Sequence, residues 1–513
     1  MRMIPRSGWV QRVPSATSRS TGGDPVPDMD DCRTIMDQYV TVGTRELPGV
    51  DRRGRLAGAP DPRGTVSLLE NLYNVAVNAL RPLLPAFSAA SPKVSAAVEG
   101  RRAAAGDIVH WAERERDPFR PLLWLHGSSA GELAGAIPVV ERVRAERPDL
   151  QLLVSYSSPS AESVLDELVA DYAGYPPLET MAACREALEG SRPDAMVFAK
   201  LDAWPALTRA AAELEIPLGM INATVRPSSS RLRGPGRQLL VPSYGRLDAV
   251  GAVSEEEVER LELLGTRKEA IQVTGDASFE RALERVDRAR QASSGSGRRL
   301  PDGTSGQVRL CAGSTWPEDE RILVEAAAVL AASRPTGADD DLEMILVPHE
   351  PDASAVRRIR DLCLEHLGVE PRLWSAGPAP AGAARPGSGM PPPLIVDAVG
   401  FLAELYLECD LAWVGGGIGG EGLHSVVEPA AAGLPVLFGP VYDRWEARQM
   451  VQRGIAVEAE PDLVPSILSG LAGDPGRRAE MGREARRYVE SGRGATEASA
   501  RLIMGLLSEK PAI

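Results

Sequence analysis

The chain of 513 residues has few of the features that mark a metal site, a disulfide framework or a nucleic-acid-binding face. Its five cysteines are scattered and form no C-x-x-C pair, so we expect reduced thiols in a cytoplasmic protein rather than disulfides or zinc. The five histidines form no H-E-x-x-H motif, and neither a metal nor a cofactor is predicted. The net charge of -14 argues against nucleic acid as a partner, because a phosphate backbone binds to a basic face.

Long apolar runs are also missing, and no stretch approaches the ~18 apolar residues that a membrane-spanning helix needs. Residues 66–87 mix leucine and valine with polar residues such as Glu70 and Asn74, which predicts an amphipathic helix on a surface. This helix could pack against protein or lie on a membrane, and the pattern leaves both open. Residues 1–64 are rich in Pro, Gly, Ser, Asp and Arg, so we expect a disordered N-terminal extension.

From residue 120 onward, short apolar runs alternate with helical patterns. The predicted strands are residues 122–125, 152–155, 195–198, 218–222, 249–253, 271–274, 308–312, 343–347, 394–396, 411–414 and 436–438. Such alternation predicts an α/β protein with parallel sheets. Residues 290–307 have the Ser, Gly and Arg content of a linker, which divides the chain into two doubly wound, Rossmann-like domains facing across a cleft, residues 65–289 and 308–513.

The densest motif is a run of glycines at residues 415–420, between the strand 411–414 and a short helix. Ligands of such sheets bind at the carboxyl ends of the strands, and glycine lets a backbone approach a phosphate closely. With Glu428 available to a ribose hydroxyl, the motif favours a nucleotide-sugar site. Two alternatives remain, an NAD fingerprint, which should instead open its domain, and a merely flexible surface loop.

A second motif, HGSSAGE, ends at Glu132 after the first strand of the N-terminal domain. A carboxylate there could accept a proton from a hydroxyl nucleophile, and the positive helix end favours its ionised form. The alternative is a capping box formed by Ser129 and Glu132, which needs no chemistry.

Other polar residues follow predicted strands, and each has a plain structural alternative. Lys200 and Arg226 could bind anionic groups or could be solvated loop residues. Ser314 and Thr315 could offer hydroxyl and N–H groups to a phosphate, or one of them could cap the next helix. His349 is a candidate polar contact, although a single histidine at a strand end is often incidental.

The order of four segments resembles that of the 3-deoxy-D-manno-octulosonic acid (Kdo) transferases of lipopolysaccharide assembly. The segments are HGSSAGE, KLDAWP, AGSTWPEDE and GLHSVVEPAAAGLPVLFGP, and the resemblance covers roughly residues 66–490. It implies a GT-B glycosyltransferase that moves Kdo from CMP-Kdo to a lipid A precursor (lipid IVA), with inversion and without a catalytic metal. It also implies a peripheral protein at the cytoplasmic face of the inner membrane, with residues 66–87 as the membrane-associating helix.

The resemblance makes Glu132 the catalytic base. The predicted acceptor- or substrate-binding residues are Ser129, Gly131, Lys200, Asp202 and Arg226. The predicted donor-binding residues are Gly313, Ser314, Thr315, His349, Gly416, Gly417, Gly419, His424, Ser425 and Glu428.

Three positions depart from the family pattern. Ser425 stands where many relatives have Asn, His349-Glu350 replaces an Arg-His pair, and Lys200 stands where many have Glu. Two other functions therefore stay open, a GT-B transferase using another nucleotide sugar such as a UDP-hexosamine, and a non-catalytic nucleotide-binding protein of the same fold.

Overall fold

The computed structural model describes residues 67–80, 92–293, 307–333, 342–376 and 391–508. The predicted extension 1–64, residues 294–306 of the predicted linker, and residues 66 and 81–87 of the predicted amphipathic helix lie outside these ranges.

The first half of the chain forms a parallel seven-stranded sheet. Its strands are β1 (Leu122–His126), β2 (Gln151–Ser155), β3 (Tyr172–Gly174), β4 (Ala195–Ala199), β5 (Leu218–Ala223), β6 (Ala249–Ala252) and β7 (Ile271–Val273). Their order in the sheet is β3-β2-β1-β4-β5-β6-β7, so the direction of winding reverses between β1 and β4. Strands β1, β2, β4 and β5 are buried along their whole length, as expected of a sheet covered by helices on both faces.

The second half repeats this plan. Its strands are β8 (Val308–Thr315), β9 (Leu342–Pro348), β10 (Arg372–Leu373), β11 (Leu394–Ile395), β12 (Leu411–Val414), β13 (Val436–Phe438) and β14 (Ala456–Glu458). The order β10-β11-β9-β8-β12-β13-β14 places the reversal between β8 and β12. Because loops at such a reversal diverge, each sheet has a crevice at its carboxyl edge where a ligand can bind.

Helices cover both sheets. The α-helices are α1 (Leu68–Leu80), α2 (Pro92–Arg114), α3 (Ala130–Glu146), α4 (Leu165–Leu168), α5 (Met181–Ser191), α6 (Pro205–Glu213), α7 (Gly234–Gly245), α8 (Glu255–Leu263), α9 (Ser278–Ser293), α10 (Pro317–Ser333), α11 (Ala353–Leu367), α12 (Leu402–Leu407), α13 (Val427–Ala432), α14 (Trp445–Gln452), α15 (Val464–Ala472), α16 (Pro475–Glu490) and α17 (Ala495–Ser508). Short 3-10 helices span Pro159–Val164, Ser230–Leu232, Lys268–Ala270 and Pro461–Leu463.

The predicted α/β fold of two doubly wound domains is confirmed, and every predicted strand is present within one or a few residues at its ends. The short helix predicted after the glycine loop is present as Val427–Ala432, and its C-cap residue is Gly433, whose φ is 87°.

Two helices pack across the predicted division of the chain. Helix α9 was assigned up to residue 289 to the first domain, and its Phe279 and Val286 lie in the hydrophobic core around β13 and α13. It continues to Ser293, within the predicted linker. Helix α17 was assigned to the second domain, yet Ile503 and Leu506 pack in the core of the first sheet.

Helix α1 has one buried face and one exposed apolar face. Its buried Glu70 carboxylate pairs with the fully buried guanidinium of Arg246, at 2.6 Å from Nη1. Leu68, Leu72 and Val75 are 76%, 56% and 65% exposed and form a row at i, i+4 and i+7. One face therefore packs on the first domain and the other presents apolar side chains to the outside. None of the helices in the ranges described above is long and apolar enough to cross a membrane.

Candidate functional site

Glu132 lies in the first turn of α3, directly after β1, at the reversal point of the first sheet. Its Oε2 accepts a hydrogen bond from the backbone N–H of Ser128 at 2.6 Å. Burial, together with the negative charge of nearby Asp202, raises the pKa of Glu132 to about 7. A carboxyl group that titrates near neutral pH can take a proton from a hydroxyl and later release it.

The capping-box alternative does not match this geometry. Ser129 is the N-cap residue, but its side chain makes no cap hydrogen bond in the described part of the chain. The Glu132 carboxylate bonds to the N–H of Ser128, one residue before the N-cap. A capping box requires both reciprocal bonds, so Glu132 orders the preceding loop without closing the motif.

Asp202, predicted to contact substrate, bonds to the loops around Glu132. Its Oδ2 accepts a short hydrogen bond from the Ser128 hydroxyl, and its Oδ1 lies 2.5 Å from Nη2 of Arg231. Ser128 thus links the two carboxylates, through its hydroxyl to Asp202 and through its N–H to Glu132. This network holds a fixed negative charge beside the candidate base.

Glu132 faces a cavity of about 200 Å³ between the two halves of the molecule. The residues that line it are Ser129, Gly131, Glu132, Lys200, Leu201, Thr224 and Arg226 from the first half and Asp443, Arg444, Trp445 and Glu446 from the second. Five of the six residues predicted for the base and the acceptor are therefore together, and the sixth, Asp202, lines a neighbouring cavity.

The wall formed by residues 443–446 was missed by the sequence predictions. These residues follow β13, just as the predicted site residues follow other strands. Their position after a strand could have identified them from the sequence. Arg226 reaches across to Asp443, with Nη1 and Oδ2 2.8 Å apart. This exposed ion pair joins the two walls of the cavity.

The cationic side chains in the cavity lie among three carboxylates, those of Glu132, Asp443 and Glu446. The Glu446 carboxyl is buried, which by itself would raise its pKa, but Arg444 and Lys200 hold that pKa below its ordinary value. Lys200 also acts on Glu132 and favours its ionised form. Lys200 therefore lies where it can compensate negative charge that develops between the two domains.

In the second domain, buried Asp319 anchors the glycine loop. Its Oδ2 accepts from the backbone N–H of Trp316 at 3.0 Å and of Gly416 at 2.9 Å, and its Oδ1 accepts from Nε1 of Trp413 at 3.2 Å. Burial nevertheless raises the pKa of this carboxyl. The first half of the glycine loop is consequently held against the ends of β8 and β12, which contradicts the flexible-loop alternative there, while Gly419 and Gly420 are exposed.

The loop needs glycine for close packing. A Cβ on Gly415 would lie 2.2 Å from the carbonyl oxygen of Ser314, and a Cβ on Gly417 would lie 2.8 Å from the backbone nitrogen of Gly439. Both neighbours are backbone atoms, so neither can rotate away.

Gly415→Ala is expected to lower the free energy of unfolding by about 1–3 kcal/mol, because the backbone must shift to admit the methyl group. Chemical denaturation followed by circular dichroism measures the change. Gly470→Ala is the control, since a Cβ there meets nothing within 4 Å and lies in helix α15, so this variant should be neutral or slightly more stable. Equal effects of the two substitutions would contradict the close approach.

Three aromatic rings stack at the reversal point of the second sheet. The ring of His349 lies 4.8 Å from that of Trp316 and 4.5 Å from that of His424, measured between centroids. Nε1 of Trp316 donates to Nε2 of His424 at 3.1 Å. Burial, with the nearby His349 and Arg444, lowers the pKa of His424 to about 4, so this ring is neutral near pH 7. The predicted pair His349 and His424 is therefore brought together, with Trp316 as a third member that the predictions left out.

Other predicted donor residues are partly engaged within the protein. Thr315 is buried, and its hydroxyl bonds to Glu320 at 3.3 Å. Glu428 pairs through Oε1 with Nη1 of Arg285 at 2.6 Å. Ser314, near the end of β8, has a φ of 53° at a shift in the strand register, and a Cβ on the adjacent Gly313 would collide with the hydroxyl of Tyr406. Ser425 is exposed, and its hydroxyl accepts weakly from the N–H of Val427.

Comparison with known proteins identifies relatives of this chain. Residues 103–281 match the family model described as 3-Deoxy-D-manno-octulosonic-acid transferase (kdotransferase). The 3-deoxy-D-manno-octulosonic acid transferase of Bordetella pertussis is 28% identical over 395 residues, which are 74% of this chain and 86% of that protein. The enzyme of the same name from Chlamydia pneumoniae is 25% identical over 333 residues, covering 62% of this chain and 69% of the relative.

Solved structures agree on the fold. UDP-GlcNAc 2-epimerase from Neisseria meningitidis, bound to UDP-GlcNAc, matches with a TM-score of 0.50 and 16% identity over 76% of this chain and 100% of that one. Another UDP-N-acetylglucosamine 2-epimerase matches with a TM-score of 0.50 and 14% identity, over 77% and 99%. At this identity the likeness concerns the fold alone, which is the two-domain α/β arrangement called GT-B.

The sequence relatives are long enough to extend over both domains, and they carry the same name. Together with the family model, they support the assignment of this chain to the 3-deoxy-D-manno-octulosonic acid transferase family.

Proposed function

We propose that this chain is an inverting glycosyltransferase that moves Kdo from CMP-Kdo to a lipid A precursor, lipid IVA, with Glu132 as the general base. The observation that carries the proposal is the position of Glu132 in the cavity between the domains, with burial and Asp202 raising its pKa to about 7. Such a carboxylate is basic enough to accept a proton and is still largely ionised just above neutral pH.

In this mechanism the acceptor hydroxyl oxygen attacks the anomeric carbon of Kdo while its proton passes to Glu132. The bond between that carbon and the phosphate oxygen breaks, and CMP leaves with the bonding electron pair. A single displacement of this kind inverts the anomeric centre. Lys200 and Arg444 supply positive charge in the same cavity and would stabilise the negative charge on the departing phosphate.

The donor would bind on the second domain, between the ends of β8 and β12. The backbone of the glycine loop, fixed by Asp319 through Gly416, offers close approach to the phosphate. Gly419, at the exposed edge of this loop, and Ser425, with its hydroxyl group, follow Gly416 along the chain. Glu428 retains its second carboxylate oxygen for a ribose hydroxyl, although Arg285 holds the first.

The acceptor would be reached at a membrane surface. The outward row of Leu68, Leu72 and Val75 on α1 supports peripheral attachment to the cytoplasmic face of the inner membrane, because an amphipathic helix binds lipid through such a face. The opposite face of α1 is held by the Glu70–Arg246 pair, so attachment through α1 would orient the first domain with respect to the lipid.

The test is incubation of the full chain with CMP-Kdo and lipid IVA, followed by mass spectrometry of the lipid. A lipid heavier by one or more Kdo residues supports the proposal. Transfer from a UDP-hexosamine but not from CMP-Kdo would overturn the donor assignment. Binding of CMP with no transfer from any donor would identify a non-catalytic protein of the same fold.

The rate of transfer is expected to rise with pH through about pH 7 and then level off. The sign follows from the base role, since Glu132 must be deprotonated and its pKa is about 7. Asp202→Asn removes a negative charge that raises this pKa, so its rising limb should move to lower pH. The measurement is kcat/KM for the acceptor against pH, with the exposed Asp462→Asn as control. If the rising part of the pH profile of Asp202→Asn stayed at the wild-type pH, Asp202 would not influence the pKa of the base.

A further inference from the structure

A second cavity lies next to the one that contains Glu132. It has a volume of about 220 Å³, and Leu201 contributes to the walls of both cavities. Most of its wall is apolar, formed by Ala203, Trp204, Pro205, Leu239 and Leu240. This composition differs from the charged cavity on the other side of Leu201.

Four segments of the first domain enclose this apolar cavity. Tyr73 comes from α1, residues 201–205 follow β4, Arg231 lies in the 3-10 turn Ser230–Leu232, and Gly236, Leu239 and Leu240 come from α7. The Glu70–Arg246 pair fixes α1 one turn from Tyr73, so that wall is held by a buried contact. The neighbour of Tyr73, Leu72, belongs to the exposed apolar row of α1. The helix that the proposed function places against lipid therefore also supplies part of the cavity wall.

The polar part of its wall leads back to the candidate base. Asp202 and Arg231 both line the apolar cavity and are paired with each other. Asp202 is bonded to Ser128, and Ser128 in turn is bonded to Glu132. A molecule with an apolar chain in this cavity would thus place its polar part beside the charged cavity.

We propose that the apolar cavity binds part of an acyl chain of the lipid acceptor and thereby positions the acceptor hydroxyl near Glu132. The inference rests on the proposed function for the identity of the acceptor. Three observations favour an acyl chain as the occupant: the apolar wall, the shared Leu201, and the contribution of Tyr73 from α1, the helix that carries the exposed apolar row. Each methylene group withdrawn from water would strengthen binding by roughly fourfold.

Gly236→Leu is the variant that tests this occupant. Gly236 lines the cavity on the exposed side of α7, and a Cβ there would meet only the carbonyl oxygen of Ser230, at 3.4 Å. The fold can therefore accept a side chain that takes up space in the cavity. Gln238→Leu is the matched control, because it adds the same side chain to an exposed position of the same helix outside the cavity.

The kinetic measurement is kcat/KM for acylated lipid IVA and for the same phosphorylated disaccharide without acyl chains. In Gly236→Leu the ratio of acylated to deacylated acceptor should fall about tenfold, whereas in Gln238→Leu it should equal that of the wild type. Flotation with lipid vesicles should be the same for all three proteins, because α1 is unchanged. An unchanged ratio in Gly236→Leu would overturn the proposal.

Direct binding separates this inference from the proposed function. Fluorescence of 11-(dansylamino)undecanoic acid reports occupation of an apolar cavity without any transfer reaction. Weaker binding to Gly236→Leu than to wild type and Gln238→Leu supports an acyl-chain site, even if the wild type transfers no Kdo and the proposed reaction fails. Equal probe binding by all three proteins would contradict the site whether or not transfer occurs.

Discussion

Glu132→Gln is expected to reduce the rate of transfer by about 10²- to 10⁴-fold, the usual contribution of a positioned general base. The amide keeps the shape of the side chain and can still accept the hydrogen bond from Ser128, but it cannot take a proton. Because burial already disfavours the charged carboxylate, the neutral amide should not destabilise the fold. The measurement is kcat for transfer together with the affinity for CMP, which should be unaltered.

Glu141→Gln provides the matched control for this substitution. Glu141 lies on the same helix, α3, and is exposed, so the same chemical change there should leave the rate as it is. If Glu132→Gln retained near-normal kcat, the carboxylate would be a structural group that orders the loop at Ser128, and the base would have to be another residue.

Asp319→Ala is expected to lower the free energy of unfolding by about 3 kcal/mol or more and to abolish ordered binding of the donor. The substitution removes the acceptor of three hydrogen bonds, from Trp316, Trp413 and Gly416, and a buried donor left unsatisfied costs about 1–3 kcal/mol. The loop that approaches the proposed phosphate would lose its anchor at the same time. Chemical denaturation and calorimetric titration with CMP measure the two effects.

The adjacent Glu318→Ala is the control for Asp319. Glu318 is exposed and pairs with Arg321 on the surface, a contact that contributes about 0–1 kcal/mol. Normal CMP binding by a folded Asp319→Ala protein would show that the glycine loop does not depend on this carboxylate. A loss of stability without a loss of affinity would restrict Asp319 to a role in the fold.

Sequence patterns predicted the interior strands of both sheets but only one of the four edge strands, β7. The strands that were missed, Tyr172–Gly174, Arg372–Leu373 and Ala456–Glu458, are all at the edge of a sheet. They are short and only partly buried, so they lack the continuous apolar run that revealed strands such as Leu411–Val414. An interior strand is covered on both faces and lies between two neighbouring strands, so its sequence is a nearly continuous apolar run.

The exchange of helices between the halves had no comparable signal. Helix α9 has the pattern of any amphipathic helix, and nothing in that pattern says which of two sheets its apolar face will meet. The same holds for α17, whose Ile503 and Leu506 complete the first core from the far end of the chain. The linker-like composition after residue 290 suggested a domain boundary there, whereas the packing of α9 and α17 determines which hydrophobic core each helix completes.

By itself the sequence determined the fold class, the glycine loop and the position of Glu132 at a strand end, because local patterns of apolar residues, glycine and acids specify these features. Only the tertiary structure brought Asp202 beside Glu132, Asp443 beside Arg226 and Asp319 beneath Gly416. These pairs are distant along the chain, and their electrostatic effects depend on separation and burial. The pKa of the candidate base therefore belongs to the folded molecule and not to any segment of it.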